Sequence, residues 1–394
     1  VAITVCPFCF RKIDSSHLAY QCAGRGNIDC KKEEDEVRKR LTGSAQETFP
    51  TFMPPPGRNS STNCPTCGGP ARRRACPQCH TALPIDFVDS KSPMIGLVGA
   101  KGSGKTVLMT VLVKQLREVI GLRFGADIRI ATDNPDGHQG LSDYQASREV
   151  PLYSKRTLPV GTGQQGSAAR QRATPVVLRW RQELGRLVGG RTLRSTVLSF
   201  VDTAGEDLND LDTAFTLEYI SVCDALIITL DPFALPGARA RLNLPEAAIQ
   251  VADDVPLDVV SHITELLRTE GKIKTKKRIS LPVAIVFTKI DAFYPTLDRQ
   301  NPIMAAAAGL PAYENADGLA IHEHMLALLH EWNAGDIDTH MRLNYSDYRY
   351  FGVSALGAEP DYGDGTVAPG GVQPHRVEDP VLWLLSKSGT VPPA

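Results

Sequence analysis

The chain has 394 residues, 42% of them hydrophobic and 22% charged, with a formal net charge of -1. That composition fits a globular protein of two or three domains whose core needs no disulfides. It offers no global field to attract nucleic acid or anionic lipid. No apolar run reaches the roughly 20 residues that cross a bilayer, which argues against a membrane-spanning helix. The opening VAITVCPFCF has no basic stretch followed by a long apolar run, so it does not read as a secretory signal. Eight of the nine cysteines precede residue 80, dividing the chain into a thiol-rich head and a thiol-poor body.

In chain order, residues 1–48 are expected to form one zinc-binding module. Residues 49–62 contain the Pro/Ser-rich PTFMPPPGRNSST, which predicts a linker without regular structure. Residues 63–90 are expected to form a zinc ribbon, and residues 91–390 a nucleotide-binding body. The body alternates apolar β-rich runs with helical spacing, the pattern of a mostly parallel sheet wrapped by helices. Buried strands are expected at residues 94–98, 197–201, 225–230, 283–287 and 350–353, with an antiparallel edge strand at 176–180. Helices are expected at 106–119, 259–267 and 318–332. Two segments, 125–175 and 357–374, are rich in Gly, Ser, Gln, Arg or Pro and read as long irregular loops.

Within the head, Cys64-x-x-Cys67 and Cys76-x-x-Cys79 lie eight residues apart in a zinc-ribbon pattern. Cys6-x-x-Cys9 with Cys22 and Cys30 completes a second four-thiolate set. A four-cysteine shell suits Zn²⁺ and leaves no open coordination position, so both sites are structural. A cross-braced pairing of the eight ligands is an alternative, and disulfides or an iron–sulfur cluster are weaker ones. His17 and His80 read as bystanders. Cys223 reads as a buried small apolar residue, Arg72–Arg74 as a solvated basic turn, and His322, His324 and His330 as without a site role.

GAKGSGKT, from Gly99 to Thr106, fits G-x-x-x-x-G-K-[ST] after a strand and before a helix. Gly99, Gly102 and Gly104 let the backbone N–H groups curl around a phosphate chain, with Ser103 in the same cradle. Lys105 would reach the β- and γ-phosphates, and Thr106 would hold Mg²⁺. A MinD-like ATPase would place its extra lysine second in the loop, but here that position is Ala100. Lys101, third, adds a solvent-facing or phosphate-steering charge.

Three weaker signals follow in a telling order. Asp202 and Gly205 give D-x-x-G, a strand-end Mg²⁺ carboxylate and a γ-phosphate sensor. Thr288-Lys289-Ile290-Asp291 reads [NT]-K-x-D: the Asp291 carboxylate accepts two N–H groups from guanine, and the Lys289 stem covers the base. Ser354-Ala355-Leu356 offers backbone N–H groups to the guanine oxygen. In this order the boxes resemble those of TRAFAC-class (Ras-like) P-loop GTPases, over residues 93–390. With CPFC, CPTC, CPQCHTALP, LDPFALP and DPVLWLL, the chain further resembles the bacterial double-GTPase family with N-terminal zinc-ribbon modules.

The resemblance implies an α/β P-loop fold with helices on both sheet faces, GTP/GDP and Mg²⁺ as ligands, and two structural zinc ions. It also implies a cytoplasmic switch that recognises a protein partner, such as a second GTPase, in a bacterial conflict or signalling system. Nucleic acid is a further partner class, for which the residues give no support. A loop threonine should close the first switch on Mg²⁺, with Thr162 the first candidate and Thr174 the second. Glu206 stands where Ras-like proteins carry a water-positioning glutamine, so hydrolysis is expected to be slow, on the order of 10⁻⁴–10⁻² s⁻¹. Arg170 or Arg172 could act as an arginine finger, although a solvated loop arginine is the simpler reading. The competing classes are a non-hydrolysing nucleotide-bound scaffold whose zinc head does the binding, and an ATPase motor.

Overall fold

The computed structural model describes residues 3–26, 30–55, 62–87, 90–131, 139–159, 175–185, 191–202, 219–242, 244–245, 248, 255–271, 273–307 and 309–394. By its contacts the chain divides into two compact units. The first contains the cysteine-rich head through Met94, together with two long strands from the body sequence. The second contains the phosphate loop and everything from Asp202 onward.

The first unit is built from hairpins whose tips carry cysteines. Strands β1 (Ile3–Val5) and β2 (Lys12–Asp14) flank Cys6 and Cys9. Strand β3 (Ala19–Gln21) pairs with β4 (Thr51–Phe52). Strands β5 (Thr62–Asn63) and β6 (Pro70–Ala71) flank Cys64 and Cys67, and β7 (Arg73–Ala75) leads into Cys76. β3 also pairs antiparallel with β7, Ala19 opposite Ala75 and Gln21 opposite Arg73. The two halves of the head are thereby joined through a three-stranded sheet, β4-β3-β7, rather than being two modules in series. Thr51 and Phe52, expected in a linker, form β4, and Phe49 and Phe52 pack on the cluster of Cys22, Cys64 and Cys67. Apolar burial against that cluster gives these residues a structure that their Pro-rich neighbourhood alone does not suggest. Helix α1 (Glu36–Thr42) starts at Asp35, whose carboxylate accepts from Arg38 N–H, and stops at Gly43 in the left-handed region at φ 73°.

The second unit holds the parallel strands. Their order is β14 (Tyr348–Gly352), β13 (Val283–Phe287), β12 (Ala225–Leu230), β8 (Met94–Gly99). Each pairs in parallel with its neighbour. The sequences VAIVF and ALIITL are buried at every position, as strands covered on both faces must be. Helix α2 (Lys105–Gln115) follows β8 and runs on through a wide turn, Leu116–Ile120, to Arg123, ending before Gly125 at φ 57°. Helices α3 (Pro256–Glu270), α4 (Asn315–Glu331), α5 (Gly335–Asn344) and α6 (Asp379–Lys387) complete the α/β architecture, with α4 against β14 and α6 against β13. Neither α5 nor α6 was expected. α5 buries only Ile337 and Met341, too few apolar positions to make a periodic signal.

Two expectations are corrected. The segment 125–175, read as irregular, contains β9 (Ala126–Ile130) and helical residues 139–154. Its polar surface obscured buried anchors: Leu152 is fully buried, and Glu149, also buried, pairs with Arg117. Strand β10 (Val176–Gly185) pairs antiparallel with β11 (Arg191–Asp202), as expected of the 176–180 strand, but β9 lies beyond it, so β10 is not the edge.

Two helix histidines carry a pH consequence. The Tyr350 N–H donates to His322 Nδ1 at 3.1 Å, and the two rings stack at 5.3 Å. His340 Nε2 lies 2.8 Å from the Thr264 hydroxyl. Burial pushes both pKa values below the ordinary 6.5, helped at His340 by Arg268. The unfolded chain therefore takes up protons that the folded one refuses as pH drops below about 6.5. Stability is expected to fall over that window. In His322→Phe the midpoint of urea unfolding should change less between pH 7 and pH 5.5 than in the parent protein. An unchanged pH dependence would contradict this.

Candidate nucleotide and metal sites

Continuous burial of MIGLVG makes β8 a fully covered strand that pairs in parallel with β12, and the glycines then turn the chain. Gly99 has φ 154°, and a Cβ there would sit 2.2 Å from Thr229 Oγ1. Gly102 and Gly104 take φ 75° and 81°, and Gly104 caps α2. Ser103 is fully buried; its hydroxyl donates to Ala100 O at 2.8 Å and lies 2.9 Å from Thr229 Oγ1. Lys105 is also buried and donates from Nζ to the carbonyl oxygens of Gly99 and Ala100, each at 2.6 Å. Its charge is thus held back inside the loop, where a bound phosphate would compete with carbonyl dipoles for it. Thr106 opens the helix beside it, and Lys101 is exposed at the loop tip.

The candidate base-reading loop follows from β13 in the same way. Thr288 is buried and donates from Oγ1 to Ser103 O at 2.8 Å, tying this loop to the phosphate loop across 185 residues of sequence. Lys289 adopts the left-handed conformation, φ 56°. Its ammonium donates to Asp231 Oδ2 at 2.5 Å and lies 4.9 Å from the Phe233 ring centroid. Ile290 N–H donates to Val353 O, which brings the third loop alongside. There Ser354 is fully buried, and its hydroxyl accepts from Gly357 N–H at 2.7 Å. Burial raises the pKa of Asp291 above the ordinary carboxylate value, while the Ser354 hydroxyl, its own backbone N–H and Lys289 act in the opposite direction. A half-buried carboxyl raised in this way is poised to gain from two donated N–H groups, which would stabilise its ionised form. Ala355 and Leu356 continue the same loop and are half-buried.

The geometry therefore gathers Gly99, Gly102, Ser103, Gly104, Lys105, Thr288, Lys289, Asp291 and Ser354 within one unit. β11 ends at Asp202, but its side chain lies outside the described residues. So do Thr162, Thr174, Arg170, Arg172, Gly205 and Glu206. Sequence reasoning missed Thr229, Asp231, Phe233 and Tyr362. Asp231 was visible as a carboxylate closing a strand, the same signal that singled out Asp202. Tyr362 has its pKa raised by burial and by the nearby carboxylates of Glu359, Asp291 and Asp231, and nothing in its surrounding DYGDG marks it.

The eight head cysteines form two clusters, Cys6/Cys9/Cys76/Cys79 and Cys22/Cys30/Cys64/Cys67, with all four sulfurs of each within 4.8 Å of one another. The expected sets, with the ribbon pairs together, are therefore corrected to a nested pairing. The antiparallel β3–β7 pairing is the cause: Cys22, past the end of β3, lies beside the chain entering β7, while Cys76, past the end of β7, lies beside the chain entering β3. The closest sulfurs are 3.5 to 3.9 Å apart. Four thiolates about 2.3 Å from a tetrahedral Zn²⁺ stand about 3.8 Å from each other, so the donor set fits that ion. All nine cysteines are free of disulfides.

Each knuckle turns on a left-handed residue just after its second cysteine: Phe10 at 57°, Gly68 at 71° and His80 at 60°. Burial opposes ionisation of Cys64, yet backbone N–H groups of Cys67 and Thr66 and neighbouring thiols bring its pKa down to about 7. His80 Nδ1 lies 2.8 Å from Asp35 Oδ2, and His17 Nδ1 3.0 Å from Asp14 Oδ2, so both serve local structure. Arg73 and Arg74 lie in β7 rather than in a free turn. Cys223 is half-buried, its thiol donating to Tyr219 O.

No protein-family model matches the chain. It is 27% identical, over 98% of its length and 99% of the relative's, to the "Putative ESX-1 scaffolding and assembly protein SaeC" of Mycolicibacterium smegmatis. Among solved structures it is similar to the Arl6 BBS3 small GTPase of Trypanosoma brucei with bound GppNp, at 13% identity, covering 76% of this chain and 99% of that one, TM-score 0.29. It is also similar to the G domain of the T. maritima FeoB iron transporter, at 10% identity, covering 68% and 91%, TM-score 0.24. Among the described residues no helix is long and apolar enough to cross a membrane. The strand, glycine loop and helix around Lys105, with the parallel sheet and two four-cysteine clusters, carry the α/β P-loop architecture independently of these likenesses.

Proposed function

We propose that the chain is a Mg²⁺-dependent guanine-nucleotide switch with slow GTP hydrolysis, coupled to a protein partner through a two-zinc head. The observation that carries the nucleotide reading is the bond from Thr288 Oγ1 to Ser103 O. It holds the lysine–aspartate pair that would read the base at a fixed distance from the loop that would hold the phosphates. Thr106 and Asp202 would serve Mg²⁺, Gly205 would sense the γ-phosphate, and Thr162 would close the first switch. With Glu206 in place of glutamine, a carboxylate would stand where the attacking water is oriented, and its repulsion from the γ-phosphate would keep turnover low. A scaffolding role is in keeping with the name of the M. smegmatis relative, a putative scaffolding and assembly protein. The zinc head then supplies a rigid docking element, and the nucleotide state sets when it engages.

The test is affinity for GTP, GDP and ATP, with zinc content measured on the same sample. Micromolar or tighter binding of guanine nucleotides, at least about 100-fold over ATP, is the expected result. Lys105→Ala should abolish both binding of GTP and its slow Mg²⁺-dependent hydrolysis. ATP outcompeting GTP would replace this reading with an ATPase. GTP binding without any Lys105-dependent turnover would favour a nucleotide-bound scaffold.

A further inference from the structure

The ion pair between Lys289 and Asp231 is not needed to hold β12 and β13 together. Those strands already pair along five consecutive positions from Leu226 and Val283, and Thr288 N–H donates to Leu230 O just beyond. The Asp231 side chain is 3% exposed, against 20% for that of Lys289. A carboxylate withdrawn this far from water is costly unless it is paired and hydrogen-bonded. Asp231 is both. Oδ1 accepts from Phe233 N–H at 2.9 Å, fixing the side chain, and Oδ2 takes the Lys289 ammonium.

The anchor continues beneath the pair. The Phe233 ring lies under the ammonium and 6.5 Å from Phe293, which sits 4.7 Å from Trp332, itself 6.1 Å from Phe287 at the end of β13. All four rings are buried. Lys289 is thus drawn by its tip to one side while its backbone is locked left-handed at φ 56°. Its methylene stem is left as the surface next to Asp291, two residues on.

We infer that Asp231 is a positioning residue for base binding: it holds the Lys289 ammonium so that the lysine stem lies ready as the flat wall of the purine pocket. The inference deepens the guanine-nucleotide reading and rests on it. Without that anchor the lysine loses a defined rotamer, and each binding event must order it anew. Asp231 does not touch the base edge. Its loss should therefore weaken all purine nucleotides that Asp291 accepts, without changing which of them is preferred.

Asp231→Asn separates the two functions of the carboxylate, because the amide oxygen still caps Phe233 N–H while the charge is gone. Fluorescent methylanthraniloyl-GDP and the matching inosine nucleotide would be titrated into the full zinc-loaded chain. Asp231→Asn should raise both dissociation constants about ten-fold, mainly through faster release, and leave their ratio unchanged. In a Lys289→Met background the same substitution should cost about two-fold or less, since the lysine it positions is gone. Asp231→Glu, which restores the charge, should recover most of the affinity. Equal losses with and without Lys289, no loss at all, or parent-like binding by Lys289→Met alone would overturn the assignment. Parent protein that binds no guanine nucleotide would overturn the underlying reading instead, a distinct outcome visible before any variant is made.

Discussion

Cys6→Ser combined with Cys79→Ser is expected to release one zinc ion per chain and leave the second in place. Cys6→Ser combined with Cys22→Ser should release both. The difference follows from the nested clusters, in which Cys6 shares a site with Cys79 and Cys22 shares one with Cys64. Ligand sets in sequence order would give the reverse result, so zinc stoichiometry of the two double variants decides the pairing directly.

The effect on stability should be large. A structural zinc site contributes an apparent ~10–16 kcal/mol to folding at neutral pH in small domains. That is comparable with the whole stability of about 5–15 kcal/mol usual for a domain. The Cys6 cluster is also packed into apolar surroundings made by Ile13, Leu18, Leu83, Phe87, Val177 and Val197. Loss of its metal would leave four thiols in a buried site shaped for a charged centre. Chelation is therefore expected to unfold the head cooperatively, with limited proteolysis cutting between residues 1 and 87 while zinc-loaded protein resists. A head that stays protease-resistant and monodisperse after complete zinc removal would refute a structural role for the metal. Acid should act in the same direction, because thiolates must be protonated to let the ion go.

Asp291→Asn is expected to lower GTP affinity by about 100-fold or more and to raise affinity for xanthosine triphosphate. The carboxylate can accept from both N–H groups on the guanine edge. The amide presents one donor and one acceptor, which matches a carbonyl beside an N–H, as xanthine offers. Partial burial strengthens the discrimination, because a mismatched polar edge leaves a desolvated group without its hydrogen bond. The pH dependence has a definite sign. The Asp291 pKa is raised above the ordinary carboxylate value, mainly by burial. GTP affinity should therefore begin to fall, on acidification, at a higher pH than an unperturbed aspartate near 3.9 would give. In Asp291→Asn that component of the pH profile should vanish. GTP binding that survives the substitution undiminished, with no gain for the xanthine nucleotide, would show that this carboxylate does not read the base.

Much of the chemistry was legible along the chain because it depends on short, contiguous residue patterns. Gly99, Gly104 and Lys105 lie within seven residues, and the loop they form follows from glycine's access to positive φ and from a strand meeting a helix. ALIITL and VAIVF announce buried parallel strands by having no polar face at all, and both were found at the expected residues. The cysteine knuckles were equally visible, since C-P-x-C carries its own turn.

Tertiary structure alone decided what depends on the partner across a sheet or a loop. Three knuckles with Cys22 and Cys30 permit several ligand sets, and only the antiparallel register of Gln21 with Arg73 selects the nested one. Thr51 and Phe52 look like linker until a neighbouring strand and a thiol cluster offer them burial. Asp231 and Lys289 are 58 residues apart and unremarkable alone, yet parallel pairing of β12 and β13 sets their ends side by side. Local sequence specifies backbone turns and strand faces because those energies are short-ranged. The partners of buried charges and thiols are chosen by the packing of distant segments, so they emerge only when the chain is folded.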